Sequence, residues 1–210
     1  MKEGVYAELE AEKFLKRFVP VAKHVFTNSL IEGHSAARII GFPLVLKIIS
    51  KKALHKSDVK GVRLIKNVID FDYEYKDLLK IGKKLSMDGI LVQEYVSGEN
   101  VILGLKKDKV FGHVLAFGIG GIYTELLKDV AFRACPITSK DAQEMIDELK
   151  LKQMLYGYRG RKKVNIPVLK ELMIKVSKIP LKYPEIKEMD INPLVINHKK
   201  GIVVDARMVI

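Results

Sequence analysis

Residues 188–207 read EMDINPLVINHKKGIVVDAR. Apolar runs on both sides of the polar stretch around Lys199-Lys200-Gly201 predict a hairpin, with strands over about 188–196 and 202–208. Asp190 and Asn192 are two apart and so project from one face of the first strand. Asp205 lies on the second strand, where antiparallel pairing would bring its carboxylate beside Asn192. Carboxylate and amide oxygens together are hard donors. They suit a Mg²⁺ ion that keeps several waters and takes phosphate oxygens. Read separately, Asn192-Pro193 is a turn and Asp205 a surface acid.

The rest of the chain sets bounds on that reading. With 210 residues, 48% of them apolar, it can bury a sizeable core as one large domain or as two lobes sharing a cleft. No apolar run approaches the ~20 residues of a membrane span. The charged N-terminus MKEGVYAELEAEKFLKRF lacks the apolar centre of a secretory signal. A single cysteine, Cys135, excludes an internal disulfide framework, and a cytoplasmic location follows as the expectation. The net charge of +12 raises the question of polyanions. Yet lysine far outnumbers arginine, is scattered, and is not interleaved with aromatics. No nucleic-acid or membrane partner is expected, and an anionic small molecule such as a nucleotide fits the charge equally well.

Along the chain, helices are predicted over 7–18, 29–40, 70–85, 138–150 and 167–183. The fourth carries a capping-box pattern from Thr138 to Asp141. Gly41 closes the second. Strands are predicted at VAKHVFT, at 44–50, at GVRLIKNV and at 89–96, and a hairpin over 100–121 turns at Lys-Lys-Asp. No regular parallel βαβ run is present, so the class is α+β, in two lobes meeting near residue 96.

Four further stretches carry chemistry. Lys47 interrupts the apolar strand LVLKII, where a lysine must snorkel, pair with an acid or face a cleft as a phosphate contact. Gln93 and Glu94 end the strand ILVQE. Backbone groups at such an end can read an adenine edge and a carboxylate can take ribose hydroxyls. FGIGG, 117–121, lacks the spacing of either nucleotide-binding glycine motif. Beyond it Arg133 is an anion-binding candidate in a charged run. Finally LHKSDVKG, 54–61, sets His55 in a charge cluster after a buried strand; on its own it is a surface-loop histidine.

The ordered set LKIISKKALHKSDVKGV, ILVQEYV, FGIGGIYTELLKDVAFRACPIT, GYRG and EMDINPLV…VVDAR resembles the nucleotide-binding β subunit of ADP-forming acyl-CoA synthetases, or acetate–CoA ligases. These are relatives of the succinyl-CoA synthetase β subunit with an ATP-grasp fold. The likeness runs over almost the whole chain. It implies an N-terminal helix (1–19) packed on the larger lobe, a smaller lobe over 20–95 and a larger one over 96–210, with the nucleotide cleft between the lobes. It implies a ligase chain that binds Mg-ADP or Mg-ATP and passes a phosphoryl group between nucleotide and histidine, in acyl-CoA + ADP + phosphate ⇌ acid + CoA + ATP. A non-catalytic nucleotide-sensing or scaffolding module is the alternative.

By the same resemblance Lys47 is the phosphate-binding strand lysine, and Gln93 and Glu94 are the adenine-side hinge. Arg133 stands on the phosphate side of the cleft. Asn192 and Asp205 bind Mg²⁺ with Asp190 nearby. His55 becomes the phosphoryl carrier, a role open to an imidazole because its free nitrogen is nucleophilic near pKa ~6.5. An α-type partner carrying CoA-binding and ligase domains is implied, in an α2β2 assembly. Two positions depart from the pattern. Lys60 stands where glycine is usual, and Asn100 stands where glutamate is usual. Glu99, next to Asn100, would point to the opposite face of its strand.

Overall fold

Alternating burial sorts the strands of the computed structural model into two antiparallel sheets. The structure describes residues 3–50, 60–120, 129–158 and 160–210. Met1–Val21 with Val96–Ile210 make one compact unit, and Ala22–Tyr95 make another.

In the smaller unit β2 (His24–Thr27), β3 (Leu44–Ile49), β4 (Val62–Ile65) and β5 (Gly89–Glu94) pair in the order β2-β5-β3-β4. Leu44, Leu46 and Ile48 of β3 and Ile90 and Val92 of β5 turn one face toward the helices α2 (Leu30–Ile40) and α3 (Val68–Lys84). There they meet Ala36, Ala37, Phe71, Tyr75 and Leu78. Ser29 caps α2 by accepting from the Glu32 amide, and Gly41 ends the helix at φ 81°. Asn67 caps α3, so the second predicted strand stops at Ile65 and the helix starts two residues before the expected 70. The Tyr75 hydroxyl donates to the Ser29 carbonyl at 2.9 Å and meets Thr27 Oγ1 at 2.8 Å, which ties α3 to the start of α2.

The larger unit is built on a sheet of seven strands. β1 (Val5–Tyr6), β11 (Ala206–Val209), β9 (Glu188–Ile196), β6 (Glu99–Asp108), β7 (Gly112–Ile119) and β8 (Val130–Ala134) lie in that order, and β10 (Gly201–Val203) also pairs with β9. Helix α1 (Glu8–Leu15) joins this unit, with Ala11, Phe14 and Leu15 in its core. The same core takes Met145 and Ile146 of α4 (Ser139–Glu148), Leu155 of α5 (Gln153–Tyr156), Leu169, Met173 and Val176 of α6 (Ile166–Ser177), and Ile179 of α7 (Ile179–Lys182). The capping box at Thr138 and Asp141 is formed in both directions. Among the described residues no helix is long and apolar enough to cross a membrane.

Four expectations are corrected. The β6–β7 hairpin turns at 109–111, not at Lys-Lys-Asp. Asp108 Oδ1 accepts from the amides of Val110 and Phe111 at 2.8 and 2.9 Å, and Gly112 supplies φ 72°. The helix expected over 167–183 is two, α6 and α7, parted at Lys178 just ahead of Pro180. The last predicted strand is divided into β10 and β11 at Val204-Asp205. Strand β8 lies in the charged run around Arg133, where no strand was expected.

Gly33 gives a test of the small core. A Cβ there would stand 2.6 Å from Cε2 of the buried Tyr75 ring. Gly33→Ala raises helix propensity by about 1 kcal/mol, but the ring cannot yield without losing its two hydrogen bonds. We expect a net destabilisation of about 1–3 kcal/mol in urea unfolding; a stabilised variant would contradict this packing.

Candidate functional site

The candidate groups fall into two sets, one in each unit. In the smaller unit Lys47 pairs with Val62 on one side and Leu91 on the other, and Gln93 pairs with Val45 and His24. Directly opposed residues share a face. Lys47 and Gln93 therefore lie on the same side of this sheet, diagonal to one another, on the face opposite α2 and α3. Both are buried, at 4% and 0% exposure. Glu94 is placed differently from the sequence reading of an open strand end. Its own amide donates to the Lys23 carbonyl at 2.9 Å, and its Oε1 accepts the Lys23 amide at 2.8 Å. The next amide, of Tyr95, donates to the Pro43 carbonyl. The amides of Glu94 and Tyr95 are therefore engaged within the smaller unit.

In the larger unit Met189, Ile191, Leu194 and Ile196 enter the core. The apolar spacing of two becomes three at Asn192-Pro193, where the pairing of β9 with β6 also shifts register. Val203 and Ala206 make the same step of three on the neighbouring strands. The register of β9 with β10 and with β11 is the same on either side of the break, which leaves Asn192 opposite Asp205. The Asn192 amide donates to the Asp205 carbonyl at 3.0 Å. Asn192-Pro193 is thus part of a strand, not a turn. Asp190, two residues back, is half-buried. Burial first, then the charges of Asp205 and Glu188, push its carboxyl above the usual range, while the Arg207 charge offsets part of this.

Two crowded carboxylates and an amide suit a hard divalent cation, which would relieve their repulsion. Among the described residues no cluster of three His, Cys, Asp or Glu could hold a metal alone. Two carboxylates and one amide are fewer donors than such a cation takes, so water or phosphate oxygens would complete its shell.

Arg133 does not belong to this set. It opposes Leu115, and the row runs on through Leu105 to Met189, all of them core residues. Its side chain consequently lies on the helix-packed face, where it pairs with Glu148 and Glu144 of α4. The Glu148 contact raises the arginine's pKa and lowers that of Glu148. His55 lies outside the described residues, as does Arg159 of the GYRG stretch.

Residues 2–210 match the family model of the ATP-grasp domain. The chain belongs to the ATP-grasp domain family. It is 39% identical over 210 residues to the β subunit of acetate–CoA ligase [ADP-forming] I of Pyrococcus furiosus, covering 97% of this chain and 90% of that one. It is 40% identical over 197 residues to acetate–CoA ligase [ADP-forming] I of Archaeoglobus fulgidus, of which it spans only 29%. It also matches acetyl-coenzyme A synthetase 1 of Ca. Korarchaeum cryptofilum. Solved with coenzyme A and Ca-AMPCP, that structure has a TM-score of 0.92 at 37% identity over 98% of this chain and 93% of the other. Solved with coenzyme A and Mg-AMPPCP, it has a phosphohistidine segment pointing towards the nucleotide binding site, and the TM-score is 0.84 at 36% identity over 98% and 92%.

Within this ATP-grasp chain the two departures have structural counterparts. Lys60 has φ 51°, the left-handed region that glycine enters freely. Asn100 is exposed on β6, while Glu99 beside it is buried and accepts both contacts of Arg161 Nη1, at 2.9 and 3.0 Å. Sequence reasoning missed that ion pair. It also missed Asp129, whose two oxygens accept the Lys150 and Leu151 amides at 2.9 Å each, and it missed Arg207, the partner of Asp190 across β11.

Two outcomes are expected. Asp190→Asn should raise the stability of the metal-free protein at pH 7. An acid whose folded pKa is raised opposes folding once ionised, so the gain should vanish as pH falls through the carboxylate range. Urea titrations at pH 7 and pH 3.5 check this. Cys135, whose thiol burial pushes up to about 11, should react with a disulfide reagent at pH 8 about a hundredfold more slowly than free cysteine. Reaction at the free rate would show the thiol to be accessible and ionised.

Proposed function

We propose that this chain is the nucleotide-handling subunit of an ADP-forming acyl-CoA synthetase, running the half-reaction between a phosphohistidine and ADP. The observation that supports it most directly is the opposition of Asn192 to Asp205 with Asp190 two residues away on β9, in a chain matched along its length by ADP-forming acetate–CoA ligase subunits. A β-phosphate oxygen of ADP attacks the phosphorus carried on His55. The P–N bond breaks, the imidazole leaves and takes up a proton, and ATP is formed.

Lys47 holds a compact positive charge on a rigid strand for the transferring phosphoryl group. Gln93 offers an amide on the same face for orienting the nucleotide. Asp190, Asn192 and Asp205 would hold Mg²⁺, which supplies neutralisation of the charge that phosphate oxygens develop. Asn192 needs its amide oxygen turned to that ion, and the backbone bond to Asp205 holds the two residues in register for it. His55, three residues before Asp58 in the sequence, takes and delivers the group. Arg133 has no part in this scheme.

Acyl and CoA chemistry belongs to an α-type partner with CoA-binding and ligase domains, in an α2β2 assembly within the cytoplasm. Reconstituted with that partner, the wild-type chain should form ATP from acetyl-CoA, ADP and phosphate. His55→Ala should abolish ATP formation while Mg-ADP still binds. Lys47→Met should lower turnover by a factor of about 10²–10³. Full turnover in His55→Ala would remove the carrier role. Nucleotide binding with no acid-labile phosphoryl adduct on the assembled wild-type complex would identify a sensing module instead.

A further inference from the structure

Asp190 has a neighbour on each side that the scheme above does not use. Across β11 it is paired with Arg207, and across β6 with Gly104. The same row continues to Ala116 of β7 and Phe132 of β8. All five lie on the face of the large sheet opposite its core residues, and Phe132 at its end is 60% exposed.

The arginine is distinguished by what it is not doing. Among the other described arginines of the larger unit, Arg17 lies over the Phe14 ring, Arg133 pairs with Glu144 and Glu148, and Arg161 with Glu99. Each of these serves the fold. Arg207 is exposed, and its charge attracts that of Asp190 across the β9–β11 pair. An exposed guanidinium on a β-strand is well formed to take two phosphate oxygens.

Gly104 is distinguished by the absence of any need for it within the fold. Its φ is not in the left-handed range, and a Cβ built on it would meet only the Ala116 Cβ, at the ordinary distance of 3.5 Å, and the Met189 carbonyl at 3.9 Å. Glycine weakens a strand interior, and one that neither backbone nor packing demands marks a place where something else approaches closely.

Resting on the nucleotide reading, we propose that Arg207 and Gly104 form a phosphate seat on either side of Asp190. Arg207 donates to oxygens of the nucleotide polyphosphate, and Gly104 leaves the room in which that group lies against the sheet. Arg207 thereby takes the place in the site that the sequence had suggested for Arg133. Lys106, a second cation among the described strand residues of this face, stands opposite Glu188 and is the natural control.

The test is calorimetric titration of the full chain with ADP and with AMP, each with and without Mg²⁺. Arg207→Met should weaken ADP about tenfold or more even without the metal, as expected for a lost charge-assisted contact, and change AMP by less than about twofold. Arg207→Lys should recover part of the loss, and Lys106→Met should bind as wild type. Gly104→Ala should melt no lower than wild type, since its methyl meets no close protein atom, yet weaken ADP about fivefold or more. Wild-type affinity for ADP in both Arg207→Met and Gly104→Ala overturns the proposal. So does an equal loss of ADP and AMP with a lowered melting temperature, which would make Arg207 structural. A wild-type chain that binds neither nucleotide fails the nucleotide reading itself, a result distinct from either.

Discussion

The alternation of β9 is the constraint on which the larger unit depends. Met189, Ile191, Leu194 and Ile196 are each almost wholly buried, and each contributes roughly 1.5–3 kcal/mol relative to exposure. A slip of one residue would turn all four toward water and drive Asp190 and Asn192 into the core, where an unpaired carboxylate is far costlier than a lost methyl. The core therefore sets the register, and the register sets which oxygens meet. The step of three at Asn192-Pro193 is matched by that from Val203 to Ala206, so both strands break alternation together. The break widens the polar side of the ladder by one residue on each strand without disturbing the apolar side. Asp190, Asn192 and Asp205 are consequently placed by apolar side chains on the other face.

The smaller unit works by the same division of faces. Leu46 stands between Val92 and Arg63 in one row, and the Arg63 guanidinium reaches Glu74 and Asp77 of α3. One residue along each strand, Lys47 and Leu91 take the other side. A lysine so deeply buried on a rigid strand gives up much of the freedom of its four-carbon stem on folding. Its cost is borne by a core that is complete without it: Leu44, Leu46, Ile48, Ile90 and Val92 need nothing from that face. Charge on the second face is tolerated because stability is secured on the first.

What could be read from sequence follows from the range of the forces involved. The helix end at Gly41, the capping box at Thr138 and the hairpin at 188–208 are local, fixed by residues within a few positions of one another, and they were legible. The donor set of β9 and its partner was legible because a hairpin brings near neighbours together. Arg133 was misplaced because its face depends on β8, a strand of five residues beginning just after Asp129 in a stretch that reads as charged, and on its register with β7. Neither is written in local periodicity. Glu99 and Arg161 are 62 residues apart, and no spacing rule joins them. Alternation did put Glu99 and Asn100 on opposite faces of their strand, and the structure makes the Glu99 face the buried one. The divided helix at Lys178 had a signal in Pro180, which an apolar pattern running through it concealed.

The departures at 60 and 100 bear on whether the chain has kept catalysis. At φ 51° a lysine costs about 1–2 kcal/mol relative to glycine. Glycine and lysine can nevertheless share this backbone, and the carbonyl of Lys60 is held by the Arg63 guanidinium. The substitution thus strains position 60 without demanding a different path for the chain. Asn100 removes a negative charge from an exposed position, while Asp190, Asp205 and Glu188 already crowd one another on the same sheet. Losing a fourth carboxylate from that sheet lessens the repulsion a nucleotide polyphosphate meets there and leaves the three β9–β11 oxygen donors intact. Neither change removes Lys47, Asp190, Asn192 or Asp205, the groups that the proposed chemistry asks of this chain.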